Sequence, residues 1–267
     1  MILEALVANA AILLGVTLIL WVIAVQIDDV SFIDSFWGFG MALMAFTSWM
    51  QVQRPGPLAT LLMAMAVIWG LRLSLYLFLR WRREGEDTRY ERMLRKDREK
   101  GNFALAALTK VFLGQALLLF MVCSPAQYGI LEAASIEPIS GLALTGLALW
   151  VVGMGFEVVG DWQLSRFKAN PANKGKILDT GLWRYTRHPN YFGDCCVWWG
   201  IWIASTSGGW WVAALTVIGP LFLTFTLTRW SGKALLEAGM RKKHGDAFAD
   251  YVAKTSGFLP LPPRKSR

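Results

Sequence analysis

Gly181-Leu-Trp-Arg-Tyr-Thr-Arg-His-Pro-Asn-Tyr-Phe-Gly-Asp194 leads through Cys195 and Cys196 into the apolar, tryptophan-rich stretch Val197-Trp-Trp-Gly-Ile-Trp-Ile-Ala204. Arg184, Arg187, His188, Asn190, Tyr191 and Asp194 are thus crowded against the start of an apolar segment. Polar groups so close to a membrane span are costly unless they pair or line a cavity, so the cluster is a functional-site candidate. Pro189 suits the first turn of a helix, where its missing N–H is not needed. The stretch therefore reads as the cytoplasmic mouth of a transmembrane helix, and its arginines and amide point to a phosphate-bearing ligand.

Working outward, the chain has 267 residues, 55% of them hydrophobic, and 14 tryptophans. Its mean hydropathy of +0.40 and its repeated long apolar runs imply an all-α polytopic membrane protein. The first run has no Lys or Arg before it and no small-residue cleavage site after it, so it reads as a span. Three cysteines without a CxxC spacing argue against a disulfide framework or a zinc site, and no metal is expected. Seven spans are expected, at 5–26, 36–53, 57–80, 104–124, 138–160, 190–206 and 210–229, forming one domain over 1–267. The second is the shortest of the early runs and is interrupted by Gly38 and Gly40. A short polar tail, with a small amphipathic helix over 243–251, follows Arg229.

Cations set the orientation. The expected loop 82–100, the segment between spans five and six, and the tail are rich in Lys and Arg, whereas 125–137 and 207–209 have none. The N-terminus then lies outside and the C-terminus in the cytoplasm. This accounts for the net charge of +8 without nucleic-acid binding.

Five constellations stand out. Asn190 and Asp194 share a face at the positive end of span six, where acceptors and anions are favoured. Alternatively, Arg184 and Arg187 anchor to lipid headgroups while Asp194 pairs with one of them. Glu157, Asp161 and Lys168 form one stripe at the end of span five, suited to ribose hydroxyls and a phosphate, or to an internal ion pair. Arg72, Tyr76 and Arg80 repeat every four residues on span three. Arg72 lies too deep to snorkel easily, so it faces an anion or a buried acid. Arg229, Lys233 and Glu237 follow at four-residue steps, and these cations suit a phosphate or an interfacial anchor. Asp34, one face with Trp37, is either an acid at the substrate or a helix N-terminal charge. No Walker A loop, strand-linked GxGxxG, HExxH or GxSxG is present.

The segments GDWQLSRFK (160–168), NKGKILDTGLWRYTRHPNYFGD (173–194), WWG (198–200), DVSFIDSFWG (29–38) and GEDTRY (85–90) resemble the steroid 5-alpha-reductase superfamily, in particular its bacterial members with a domain of unknown function. The resemblance covers nearly all of the chain. It implies a seven-helix membrane reductase of the bacterial inner membrane that uses NADPH to saturate a double bond conjugated to a carbonyl. It also implies that Asn190, Tyr191 and Asp194 hold the cofactor, with Arg187 and His188 beside them. Glu157, Asp161, Lys168, Arg80, Arg83 and Arg229 fall at the family's polar positions, and Tyr76 matches its tyrosine. The family's Gln-Glu substrate pair is represented only by Gln51-Val-Gln53, and Trp69 stands where a second tyrosine is found.

The expected reaction is hydride transfer to the β-carbon of an apolar enone, a sterol, polyprenyl or fatty lipid entering from the bilayer. A donor to the carbonyl oxygen is needed, with Tyr76, Trp69 and Asp34 as candidates. Part of the RHPNY pattern is shared with isoprenylcysteine carboxyl methyltransferases, so an S-adenosylmethionine-dependent methyltransferase is the alternative. A non-enzymatic lipid-binding protein or transporter is the third reading. No obligate protein partner is evident.

Overall fold

The computed structural model describes residues 2–133, 138–230 and 232–264, which are helical apart from turns, connecting segments and one isolated parallel bridge between Thr186 and Ser256. The long helices are α1 (Ile2–Ile27), α2 (Ile33–Met50) and α3 (Pro57–Glu84), followed by α4 (Thr88–Glu99). Next come α5 (Phe103–Ala107), a π-turn over Leu108–Phe112, α6 (Leu113–Val122) and α7 (Ser124–Glu132). The second half holds α8 (Gly141–Ala169), α9 (Pro189–Ser205), α10 (Trp210–Thr216), α11 (Ile218–Phe225) and α12 (Gly232–Lys254). Of the cation-free segment 125–137, residues 134–137 lie outside the described residues.

Among the described residues, five helical stretches are long and apolar enough to cross a membrane: Ile2–Ile27, Pro57–Glu84, Phe103–Val122, Gly141–Ala169 and Trp210–Lys254. The expected spans 36–53 and 190–206 are helical as α2 and α9, but at 18 and 17 residues they are not among those five. Outward faces are apolar: Ile68, Leu71, Leu75 and Leu79 form an exposed stripe along α3. Such a surface is soluble only in lipid. The chain is a multi-pass membrane protein.

Two sequence expectations are corrected. Residues 82–100 are not a loop. α3 runs on to Glu84, Gly85 at φ 74° stops it, and Asp87 caps α4 by accepting from the Arg89 backbone N–H. The tail is helical over more than the expected 243–251: α12 is two helical stretches that meet at a kink where Gly245 takes φ 51°, and Phe248 and Tyr251 of the second are buried.

The chain divides into two compact units, Met1–Ala143 with Ile201–Gly219, and Leu144–Gly200 with Pro220–Arg267. In the first, α2 and α3 meet at Gly38 and Gly70, where a Cβ on either would lie 2.3 Å from the other's carbonyl oxygen. Only glycine permits that approach, the small-residue packing expected between helices in lipid. Fully buried Asn9 of α1 donates to Ser48 Oγ (2.7 Å) and Gln127 Oε1 (2.9 Å), and accepts from Thr47 and Gln51. This network ties α1, α2 and α7 together.

In the second unit, α8 and α9 run antiparallel along a glycine seam. A Cβ on Gly200 would sit 2.6 Å from the Gly146 carbonyl oxygen, and one on Gly153 2.6 Å from that of Gly193. Gly160 faces the Pro189 ring. The α8 glycines recur every seven residues, two helical turns, and so line one face.

Candidate functional site

The second unit holds most of the residues singled out in the sequence. The connection from α8 to α9 is threaded by side-chain bonds. Gln163 Oε1 accepts from the Leu182 N–H (3.0 Å), and Gly181, at φ 62°, lies so close to that amide that a Cβ would meet it at 2.3 Å. The Trp183 indole donates to the Gly160 carbonyl (3.1 Å). Thr186 Oγ1 donates to the Phe258 carbonyl (2.8 Å) and the Arg187 N–H to that of Ser256 (2.9 Å). Tyr251 donates its hydroxyl to the Trp183 carbonyl. The signature stretch is therefore pinned to the segment that follows α12.

Arg187 and His188 are buried and converge on one carboxylate. Glu237 Oε1 accepts from Arg187 Nε (3.0 Å) and NH2 (2.9 Å), and lies 3.1 Å from His188 Nε2. Arg187 NH1 also donates to the carbonyls of Val252 and Thr255. The His188 ring stacks on Tyr191 at 5.4 Å and 4°. Burial pushes the imidazole below its usual range; Glu237 opposes this, while Arg187 and Lys233 reinforce it. The ring is neutral at pH 7. Lys233 Nζ and Arg187 NH2 flank Gly257, where a Cβ would meet them at 2.6 and 3.1 Å.

The glycine seam brings the α8 acids to the first turn of α9. Glu157 and Asp161 are 2% and 4% exposed. Glu157 Cγ lies where a Cβ on Gly193 would meet it at 2.8 Å. Asn190 Nδ2 approaches Asp161 Oδ1 at 3.4 Å, and its Oδ1 accepts from the Tyr191 N–H. Asp194 is half-buried one turn on. Phe156 and Phe192 pack edge to face beside them at 4.9 Å.

The DUF1295 family, described as a protein of unknown function, matches residues 20–255. The chain belongs to this family. It is 35% identical over 118 residues to 3-oxo-5-alpha-steroid 4-dehydrogenase 1 of Rattus norvegicus, covering 44% of this chain and 41% of that one. The Mus musculus protein of the same name is 38% identical over 121 residues, 44% and 42% of the two chains. A probable O-methyltransferase, ustE, of Ustilaginoidea virens is 30% identical over 105 residues, 39% and 36% of the two chains. The chain thus spans about two-fifths of the length of these curated relatives. No solved structure matches it.

Within this DUF1295 chain the structure brings Glu157, Asp161, Asn190, Tyr191, Asp194, Arg187 and His188 into one neighbourhood. Lys168 and Arg229 are exposed, and Lys233 is half-buried. In the first unit Arg72 lies 5.6 Å over the Tyr76 ring, and Trp69 is 2% exposed in the packed face of α3. Arg80 lines an open cleft of about 250 Å³ with Ser31, Asp34, Glu84 and Asp87, and Arg83 is exposed.

Asp34 is placed in a network. It accepts from the Tyr90 hydroxyl (2.6 Å) and from Arg89 NH2 (2.8 Å), so both oxygens serve as acceptors. Gln115 donates to the Tyr90 oxygen (2.8 Å) and accepts from the Trp37 indole (2.7 Å). This geometry assigns Asp34 to docking α4. Burial and the neighbouring Asp34 carboxylate push the Tyr90 hydroxyl well above its ordinary range. Burial would raise the Asp87 carboxyl, but hydrogen bonds from Arg89 hold it below the usual value. Gln51 is likewise engaged, donating to Asn9 Oδ1 (3.0 Å) and to the Thr47 carbonyl.

Residues not singled out include Tyr90, Gln115, Asn9 and Gln127. Gln115 and Asn9 are lone polar side chains in apolar runs, which is itself a signal; Gln127 lies in the expected connection 125–137, where it has none. Glu237 was marked only by its spacing from Lys233.

Proposed function

We propose that this chain is a membrane reductase that uses NADPH to saturate the carbon–carbon double bond of an apolar enone, a 3-oxo-Δ4 steroid or related lipid. One observation carries the reading: two buried carboxylates line the first turn of α9, Asp161 against the Asn190 amide and Glu157 against Gly193. The resemblance of its motifs to the steroid 5-alpha-reductase superfamily and the similarity to two steroid dehydrogenases support it. The donor set fits a phosphorylated dinucleotide. Glu157 and Asp161 accept from ribose hydroxyls, Asn190 pairs with a carboxamide, and Lys233, Lys168 and Arg229 supply charge for phosphate. Arg187 and His188 position the stretch through Glu237.

NADPH, when bound, supplies the hydride. The chain has to orient it, exclude water and stabilise the developing enolate. Tyr76 of α3, with the Arg72 guanidinium over its ring, is the donor we assign to the carbonyl oxygen. Seven crossings, with the N-terminus outside, belong to the same reading, as does a bacterial inner membrane.

Anaerobic incubation of the purified protein with NADPH and a 3-oxo-Δ4 steroid should consume one nucleotide per double bond reduced. Failure to bind NADPH by calorimetry at millimolar concentration overturns the proposal. The similarity to ustE favours a second reading, an S-adenosylmethionine-dependent methyltransferase. That cofactor lacks phosphate, so stabilisation by one cofactor and not the other in a thermal-shift assay separates the two.

A further inference from the structure

α4 is amphipathic in a particular way. Tyr90 and Leu94 are buried, and Leu94 is 0% exposed. The acids around α4 are engaged with partners of the first unit: Asp87 with Arg89, Glu86 with Arg98 (2.7 Å), and Asp97 with Lys110 (2.8 Å). What α4 leaves outward is mainly positive. Arg92, Arg95, Lys96 and Lys100 are exposed, with Glu91 and Glu99 among them, and none of the four cations has an ion pair among the described residues. Arg82 and Arg83 are also exposed, at the end of α3. Met93, 50% exposed, lies on the flank of the same surface.

The height of this surface is fixed by its docking. Arg89 and Tyr90 bind Asp34 in the first turn of α2, and Tyr90 binds Gln115 of α6. Trp81, near the end of α3, donates to Asp29 just beyond α1 (2.8 Å). α4 is thus fastened where several apolar helices terminate, at the level of lipid headgroups. A short helix with a buried apolar edge, a flanking methionine and a cationic outer face suits a negatively charged membrane surface.

We propose that α4 is a docking surface for anionic phospholipid headgroups, with Arg92, Arg95, Lys96 and Lys100 as the contacts and Met93 at the acyl boundary. The contact is independent of the reductase reading. It is tested on the full chain in nanodiscs of phosphatidylcholine alone or with 40% phosphatidylglycerol, by amide hydrogen exchange over residues 88–100. Each cation near an anionic surface contributes roughly fivefold to binding, so exchange should slow by about tenfold or more in the anionic discs. The R92Q/R95Q/K96Q/K100Q variant, which leaves Tyr90 and Leu94 in place, should lose that protection while melting as the parent does in neutral discs. Molar salt should reverse it. Equal exchange in the two lipids overturns the proposal. So does protection conferred by a soluble polyanion such as RNA in neutral discs with none from phosphatidylglycerol.

Discussion

At the scale of single residues, one oxygen of Glu237 serves both Arg187 and His188. Removing that carboxylate leaves a guanidinium buried without its counter-charge. Glu237→Ala should therefore lower stability by about 3 kcal/mol, measured by denaturation in detergent, whereas a surface pair would cost a fraction of that. His188 gives a pH signature. Its folded pKa lies below the unfolded value of about 6.5, so the unfolded chain takes up a proton first as pH falls. The associated stability is full above that value and is lost as pH drops through it toward the folded pKa. A melting temperature that falls between pH 7.5 and 5.5, with a flatter fall in His188→Gln, is expected. For binding, Asn190→Ala and Asp161→Asn should each weaken NADPH by about tenfold, one hydrogen bond to a buried or charged group. The residues of the signature were legible because polar groups against an apolar run announce themselves. Which of them would be engaged structurally was not. Arg187 and Asn190 look equally available in the sequence, and only the position of Glu237 tells them apart.

At the scale of elements, the seam between α8 and α9 depends on a missing atom. Gly153→Ala would press a methyl against the Gly193 carbonyl, whereas Gly155, two residues on, has nothing within 4 Å. The first substitution should separate the helices and lower the melting point by several degrees; Gly155→Ala should be neutral or slightly stabilising. Comparison of the two by thermal unfolding isolates packing from helix propensity. The long helices themselves were readable from their apolar runs. α4 was not, because its composition is that of a loop, and it is helical through the Asp87 cap, the Gly85 stop and the docking of Tyr90 and Leu94. The glycine seam was written in the sequence as a seven-residue repeat at 146, 153 and 160. Without the facing helix that repeat has no partner to identify it.

At the scale of the molecule, the expectation is a chain whose cationic segments share one side of the bilayer. Cysteines placed at Gly85, Lys174 and Lys254 should react with an impermeant maleimide only in inside-out vesicles, and one at Arg54 only in right-side-out vesicles. Labelling of Gly85 from both sides would be incompatible with the orientation. The C-terminal segment has a further consequence, for biosynthesis. Thr186 bonds to a carbonyl 72 residues later, and Arg187 to one 68 residues later. At elongation rates of about 5–20 residues per second, those partners leave the ribosome several seconds after residue 187. Through that interval the loop ahead of α9 waits unlatched while its helices are already inserted. A nascent chain arrested before residue 251 should carry protease-sensitive peptide bonds at 182–188 that disappear once translation passes 261.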